Sequence, residues 1–326
     1  MIVSVSPPHR PDQAVPAYLA DQPFLLREAR QLGLSEDVVR GQRFRRVFRG
    51  VYVGAGTPDS VRLRAGAARL LLPDAAVFSH HTAAQLGDLP VPDEPAIHVT
   101  LPQELQRRRV PGIVTHRSLS VTAQSFAGFA VTTPERTFLD LAGKLSLVDL
   151  TVLGDAMVRR HFTTAERLRE AASAANGRRG VPLARKSAAL VRPRVDSPME
   201  TRVRLLVVLA GLPCPEPGRE ILDEYGQWVA TPDLLYRAQQ IAIEYDGELH
   251  YRRRRKWRQD LSTRDLLREM GWHVIVLTAE DVFRTPLHTL HRIHDSLAGR
   301  AYPRLPATLD PRWEQHFPPR FDTLSA

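Results

Sequence analysis

Chemistry in this chain concentrates between Glu200 and Arg264. In the segment QIAIEYD, Gln240 to Asp246, strand alternation places Ile241, Ile243 and Tyr245 on one face and Ala242, Glu244 and Asp246 on the other. Two carboxylates therefore project together. Asp233 follows Pro232 at the end of the preceding apolar run, and a hairpin that returns the chain lays it beside Glu244. Glu200 sits one turn into an apolar helix expected to pack across the sheet. Carboxylates gathered this closely raise one another's pKa and oppose folding unless a cation or a shared proton relieves them. Mg2+ (or Mn2+) is the simplest remedy, because a hard divalent ion takes one or two carboxylates together with waters and substrate phosphate oxygens. His250, just past Gly247, is then placed to orient or deprotonate an attacking water. The chemistry predicted is metal-dependent cleavage of a phosphodiester.

Each member also has an ordinary reading. Asp233 or Glu200 alone is a solvated acid at the end of an element. Glu244 differs, because an acid inside an otherwise apolar central strand must be paired or bound to something. Beyond it, Arg252, Arg253, Arg254, Arg255, Lys256 and Arg258 put six cations into seven residues with no acid among them. Such a block reads either as a solvated loop or, next to a carboxylate cluster, as a phosphate-holding surface, with Trp257 stacking on a base or anchoring the loop. A second group, Arg40, Arg43, Arg45, Arg46 and Arg49, places five cations in ten residues beside a helix-turn-helix pattern and suits nucleic-acid backbone contacts. Arg264 reads as a helix-face partner for Asp260 or Asp265, or as a support at the edge of the acidic site. His80 and His81 are adjacent, so on a helix they point about 100° apart, and no zinc site is expected there.

The elements that must position these groups follow from periodicity and caps. With 326 residues, 43% hydrophobic and 25% charged, the chain is long enough for two or three packed units. Residues 1–20 hold four prolines and read as a loose leader. Residues 21–56 carry two short helices, the second capped by Ser35, and a strand pair around Gly50: a winged helix-turn-helix. Residues 57–171 read as a mixed α/β middle domain, with 172–180 as a linker. From 181 to 300 the order is helices, a β-meander over Glu220 to Tyr245, a helix over Gln259 to Met270, a strand over Trp272 to Thr278 and a last helix. A proline-rich tail, 301–326, is expected to lack order. The fold class expected is α/β (α+β).

A formal net charge of +9 makes a polyanion a plausible partner. The longest apolar run, Leu205 to Leu212, falls far short of the ~20 residues of a membrane span. Cys214 is the single cysteine, which allows no internal disulfide and fits a reducing cytoplasm.

The part from about Ser197 to Leu297 contains SPMETRVRLLVVLAGLP, TPDLLY, IAIEYDGELHY and DLSTRDLLREMGWHVIVLTAEDV. It resembles the PD-(D/E)xK nuclease superfamily, particularly the branch similar to very-short-patch repair endonucleases. That resemblance implies a restriction-endonuclease-like core in which Asp233 and Glu244 are the central metal ligands, Glu200 is the acid on the first helix and His250 is accessory. Two residues after the second acid, where the superfamily motif has lysine, this chain has Asp246. The part from about Phe24 to Leu168 contains LGLSEDVVRGQRFRRVFRGVY, AVFSHHTAAQLGDL, IHVTLP and TTPERTFLDLA, and resembles the AbiEi-type antitoxins of type IV toxin–antitoxin systems. Those pair a winged helix with a larger C-terminal domain and repress their own promoter, which implies duplex DNA and a cognate toxin as partners. The function expected is a DNA-binding protein with a metal-dependent endonuclease-like domain. The alternative is a non-catalytic AbiEi-like antitoxin or repressor with a degenerate nuclease fold.

Overall fold

The computed structural model describes residues 19, 21–105, 109–247 and 263–318. They form a mixed α/β protein with several sheets, divided into two compact units, Met1–Thr133 and Pro134–Ala326. Among the described residues no helix is long and apolar enough to cross a membrane.

In the first unit, β1 (Phe24–Leu25), α1 (Leu26–Gln31), α2 (Glu36–Arg40), β2 (Phe44–Phe48) and β3 (Val51–Gly54) build a small two-helix body on an antiparallel sheet of order β1-β3-β2. The Ser35 hydroxyl accepts from the Val38 amide and caps α2, and Gly50, at φ 81°, turns the hairpin. Phe24 meets Phe44 edge-on at 5.2 Å over buried Ala29, Leu34 and Val39. There follow α3 (Val61–Arg69), β4 (Val77–Phe78), α4 (His80–Leu86), β5 (Ile97–Pro102), β6 (Ile113–Ser118), β7 (Ala123–Phe126) and β8 (Phe129–Thr132). Their five strands form one mixed sheet of order β6-β5-β4-β8-β7, with β5 and β6 parallel.

The second unit opens with four helices, α5 (Pro134–Leu141), α6 (Leu147–Arg159), α7 (Ala165–Ala174) and α8 (Val181–Leu190), followed by α9 (Pro198–Leu209). Then come β9 (Glu216–Pro217), β10 (Ile221–Leu222), β11 (Trp228–Ala230), β12 (Leu234–Tyr236), β13 (Ile241–Tyr245), a helix α10 described over 263–269, and β14 (His273–Leu277). The unit closes with α11 (Ala279–Phe283) and α12 (Pro286–Gly299). The main sheet runs β14-β13-β12-β9, antiparallel except that β14 lies parallel to β13. Alternation holds as read: Ile241 and Ile243 bury in the core shared with α9, while Ala242 buries on the opposite side with Leu235, Leu267 and Trp272.

Three boundaries differ from the sequence reading. Within the meander read over Glu220 to Tyr245, the apolar stretch Val229–Leu235 is two strands and not one, because Pro232 lacks a ladder donor; β11 pairs with β10 in a separate ribbon while β12 joins the main sheet. Residues 172–180 join α7 to α8 inside the second unit rather than separating units, since α6, α8 and α9 are tied to one another. The proline-rich stretch after residue 301 is packed as far as it is described: Trp313 and Phe317 bury in the main core, and the Asp310 amide donates to the Ala210 carbonyl.

That tie is a buried charge pair. Asp155 of α6 and Arg204 of α9 meet at 2.7 Å with 1% and 0% of their side chains exposed. The other Asp155 contacts come from the Thr201 hydroxyl at 2.8 Å and the Arg192 amide at 2.8 Å, and Arg204 also donates to the Leu190 carbonyl. Burial pushes the Asp155 carboxyl up, against the pull of Arg204 and these donors. Replacing Asp155 with alanine strands Arg204 in an apolar interior, a loss of about 3–5 kcal/mol. The chain's four tryptophans all lie after Pro134. Urea unfolding of the full chain followed by tryptophan fluorescence should therefore show the loss in the second unit, and Asp155→Leu combined with Arg204→Met should recover most of it.

Candidate functional site

The register Leu234↔Ile243, Leu235↔Ala242, continued by one step, sets Asp233 opposite Glu244. Opposed residues of antiparallel strands lie on one face with Cβ atoms about 4.5–5.5 Å apart. Asp233 is fixed there by the Tyr245 amide, which donates to Oδ2 at 2.6 Å. The Asp246 amide donates to the Leu277 carbonyl at 2.7 Å, extending the β13–β14 ladder past Tyr245. From α10, Arg264 Nε donates to Glu244 Oε2 at 3.0 Å, and its guanidinium reaches Asp246 at 4.0 Å. Arg264 thus sits between Glu244, near the end of β13, and Asp246 just beyond the strand, and partly offsets their charge.

Glu200 reaches this region from the first turn of α9. The Ser197 hydroxyl accepts the Glu200 amide, which starts the helix, and Glu200 Oε2 accepts the Asp196 amide at 2.7 Å. The residue is only 7% exposed. Burial, then the negative charge of Asp233, push its carboxyl up to about 7, against the two hydrogen bonds from Asp196 and Ser197. The charge of Asp233 thus acts on Glu200.

Among the described residues, the trios whose ligand atoms all lie within 4.8 Å of one another are His80, His98 and His116, and His81, Glu94 and His98. The acids Glu200, Asp233 and Glu244 are not drawn in that far. Their oxygens are held by the Asp196 amide, the Tyr245 amide and Arg264. His250 and the basic run Arg252, Arg253, Arg254, Arg255, Lys256 and Arg258 lie outside the described residues.

Near Asp233, whose carbonyl accepts the Gly218 amide at 3.1 Å, the surface carries a groove of about 490 Å3 lined by Arg194, Gly218, Arg219, Glu220, Leu222, Thr231 and Arg237. Gly218, at φ 54°, lets the backbone pass Arg194, where a Cβ would come within 2.5 Å of the Arg194 carbonyl oxygen. These three arginines are scattered in sequence and form no local cluster, so only the fold assembles them.

Of the first-unit cations, Arg40 pairs with Glu36, as does Arg30, and Arg45 donates to the Thr57 carbonyl at 3.0 Å and lies 3.8 Å from Asp59. Arg40, Arg43, Arg46 and Arg49 are exposed. His80 and His81 fall in different trios, as helix spacing implies, but both trios have the makings of a metal site, against the expectation of none there. Helix spacing alone omitted the strands: β5 and β6 bring His98 and His116 to the start of α4.

No family model matches the chain. It is 29% identical over 255 residues to two Mycobacterium tuberculosis proteins named as uncharacterized, MT2308 of strain CDC 1551 and Rv2248 of strain H37Rv, covering 76% of this chain and 90% of each relative. The crystal structure of the RV2827C protein from Mycobacterium tuberculosis aligns over 62% of this chain and 78% of its own at 16% identity, with a TM-score of 0.32.

The raised Glu200 pKa has a definite sign. Between pH 4.5 and about 7 the unfolded chain releases a proton that the folded chain retains, so Glu200 costs stability as pH rises through that window. Glu200→Gln removes the charge and keeps an oxygen for the Asp196 amide. It should stabilise the protein at pH 8 by on the order of 2 kcal/mol, the shift being discounted for partial screening, and by nothing near pH 4. Urea midpoints of parent and variant at the two pH values provide the check.

Proposed function

We propose that this chain is a cytoplasmic DNA-binding protein whose second unit hydrolyses phosphodiester bonds with a divalent metal. The observation that carries the reading is the opposition of Asp233 and Glu244 on adjacent strands, with buried Glu200 near enough to feel the charge of Asp233. The order helix, three antiparallel strands, helix, parallel strand, given by α9, β9-β12-β13, α10 and β14, supports the resemblance to the PD-(D/E)xK core.

The donor set suits a hard cation, since every candidate ligand is a carboxylate oxygen. Asp233, Glu244 and Glu200 would hold Mg2+ or Mn2+, which when bound supplies an acidified water and charge neutralisation at the phosphate. Arg264 is the cation beside Asp246, at the place where the superfamily carries lysine. A guanidinium stays protonated, so Arg264 neutralises phosphate charge but transfers no proton. Proton removal from water is left to a carboxylate or to His250. Arg194, Arg219 and Arg237 offer the duplex backbone further contacts.

Incubation of the purified full chain with supercoiled DNA and Mg2+ or Mn2+ should give nicked or linear product. Asp233→Asn and Glu244→Gln should each lower the rate by at least a hundredfold with unchanged circular dichroism, a loss on the scale of about 3 kcal/mol of transition-state stabilisation. Equal rates in parent and both variants would remove the catalytic reading.

A second reading, a non-catalytic repressor or antitoxin with a cognate toxin, is favoured by one feature. The two-helix body of the first unit presents Arg43, Arg46 and Arg49 exposed along its hairpin, while Arg45 is engaged by Thr57. On this reading Arg43→Ala, Arg46→Ala and Arg49→Ala together weaken binding to the protein's own promoter fragment and flatten its salt dependence by about 0.9 in log–log slope per lost phosphate contact. The carboxylate variants should leave that binding unchanged. Fluorescence anisotropy across a salt series measures both.

A further inference from the structure

The first unit holds an imidazole cluster that neither functional reading uses. His80 opens α4, His98 lies on β5 and His116 on β6. The parallel register pairs Thr100 with His116, so His98 and His116 sit two residues out of step on neighbouring strands. His80 and His98 are 8% and 4% exposed. The His80 and His116 rings stack with centroids 3.7 Å apart and planes 15° apart, and His98 lies 5.6 Å from His80 and 5.2 Å from His116 by centroid. His98 Nδ1 is 3.0 Å from His116 Nε2.

We propose that His80, His98 and His116 bind a nitrogen-preferring divalent transition ion, zinc being the expected occupant. Two nitrogens bound to one tetrahedral zinc at about 2.05 Å lie about 3.3 Å apart, close to the His98–His116 separation, but these nitrogens now face each other in a hydrogen bond, so both rings must turn and one must move its proton to the other ring nitrogen before they share an ion. Three neutral imidazoles are the donors that zinc and its first-row neighbours favour and that Mg2+ does not.

The surroundings orient the rings. His80 Nδ1 lies 3.0 Å from the Ser79 hydroxyl, which itself accepts from Thr100 at 2.8 Å, so Nε2 of His80 is the nitrogen turned to the ion. His98 Nε2 lies 3.8 Å from the Glu94 carboxylate, beyond hydrogen-bond distance until the ring shifts toward it, and Nδ1 faces His116. A carboxylate behind a metal-bound histidine is a recurrent second layer of such sites. The alternative trio of His81, Glu94 and His98 shares His98 and would turn it the other way. His80 also has a left-handed backbone, φ 52°, a conformation that a non-glycine residue keeps only where its surroundings hold it. Three protein ligands leave a fourth position for water or a further donor.

The test uses untagged full-length protein stripped with a chelator. Calorimetry with Zn2+ should give one ion per chain, and Co2+ should give the intense visible bands of a low-coordinate nitrogen site, bleached by added Zn2+. His98→Gln and His116→Gln should weaken binding by at least about a hundredfold, and Glu94→Gln by about ten- to a hundredfold, as for loss of an orienting partner. Where a histidine variant fails to fold, X-ray absorption of the zinc-loaded parent decides, with three imidazoles at about 2.0–2.1 Å expected. Absence of stoichiometric binding in the folded parent, undiminished binding in all three variants, or an oxygen-only shell would overturn the proposal.

Discussion

A charge taken out of water must find a partner of opposite sign, and in the second unit that requirement is met by Asp155 and Arg204. The pair does more than satisfy itself. Asp155 is on α6, Arg204 and Thr201 are on α9, and Leu190 and the Arg192 amide close α8, so one carboxylate fixes three helices. Thr201 directly follows Glu200. The first turn of α9 is therefore anchored on one side of the helix while the adjacent acid is held near Asp233. Repulsion between Glu200 and Asp233 would otherwise be relieved by a small rotation or withdrawal of α9. The anchor denies it that freedom, so Glu200 keeps the position in which burial first, and the charge of Asp233 after it, raise its pKa.

What could be read from the sequence divides along the same physical line. The acid cluster was legible because strand alternation is strict and local: Ala242, Glu244 and Asp246 share a face whatever the tertiary fold, and one hairpin adds Asp233. The Ser197 cap was legible for the same reason. Arg204 was not, because inside the apolar run from Val203 to Leu209 a lone arginine looks like an exposed position that the helix turns to solvent. Its partner lies 49 residues earlier, in a helix the sequence reading did not assign. Long-range pairing leaves no local trace. Pro232, which divides an apparently continuous strand, did leave one, but it was read only as the residue before Asp233.

The histidines make the complementary case. Spacing on a helix correctly separates His80 from His81, yet the grouping is decided by β5 and β6, which bring in His98 and His116 from 18 and 36 residues after His80. The one local sign was the turn of the chain at Ser79, and a positive φ at the following histidine is not a property that pattern reading reports. Similarly, Arg194, Arg219 and Arg237 carry no sequence signature, while the prolines of the tail hide Trp313 and Phe317, which join the core.

The two candidate metal sites differ in what the protein pays in the ion's absence. An ionised carboxylate without a cation must be quieted by protein donors, and Asp196, Tyr245 and Arg264 do this at the cost of tying up the oxygens an ion would need. On the proposed reading, metal binding there would gain from relief of like charge and would be opposed by the displacement of Arg264. Neutral imidazoles need no such quieting. They can stack and hydrogen-bond to one another in a buried site, so the cluster persists as packed aromatic surface whether or not an ion is present. An oxygen site of this kind stays adjustable and suits exchange with a polyanionic ligand. A nitrogen site locked between a helix start and two parallel strands suits retention.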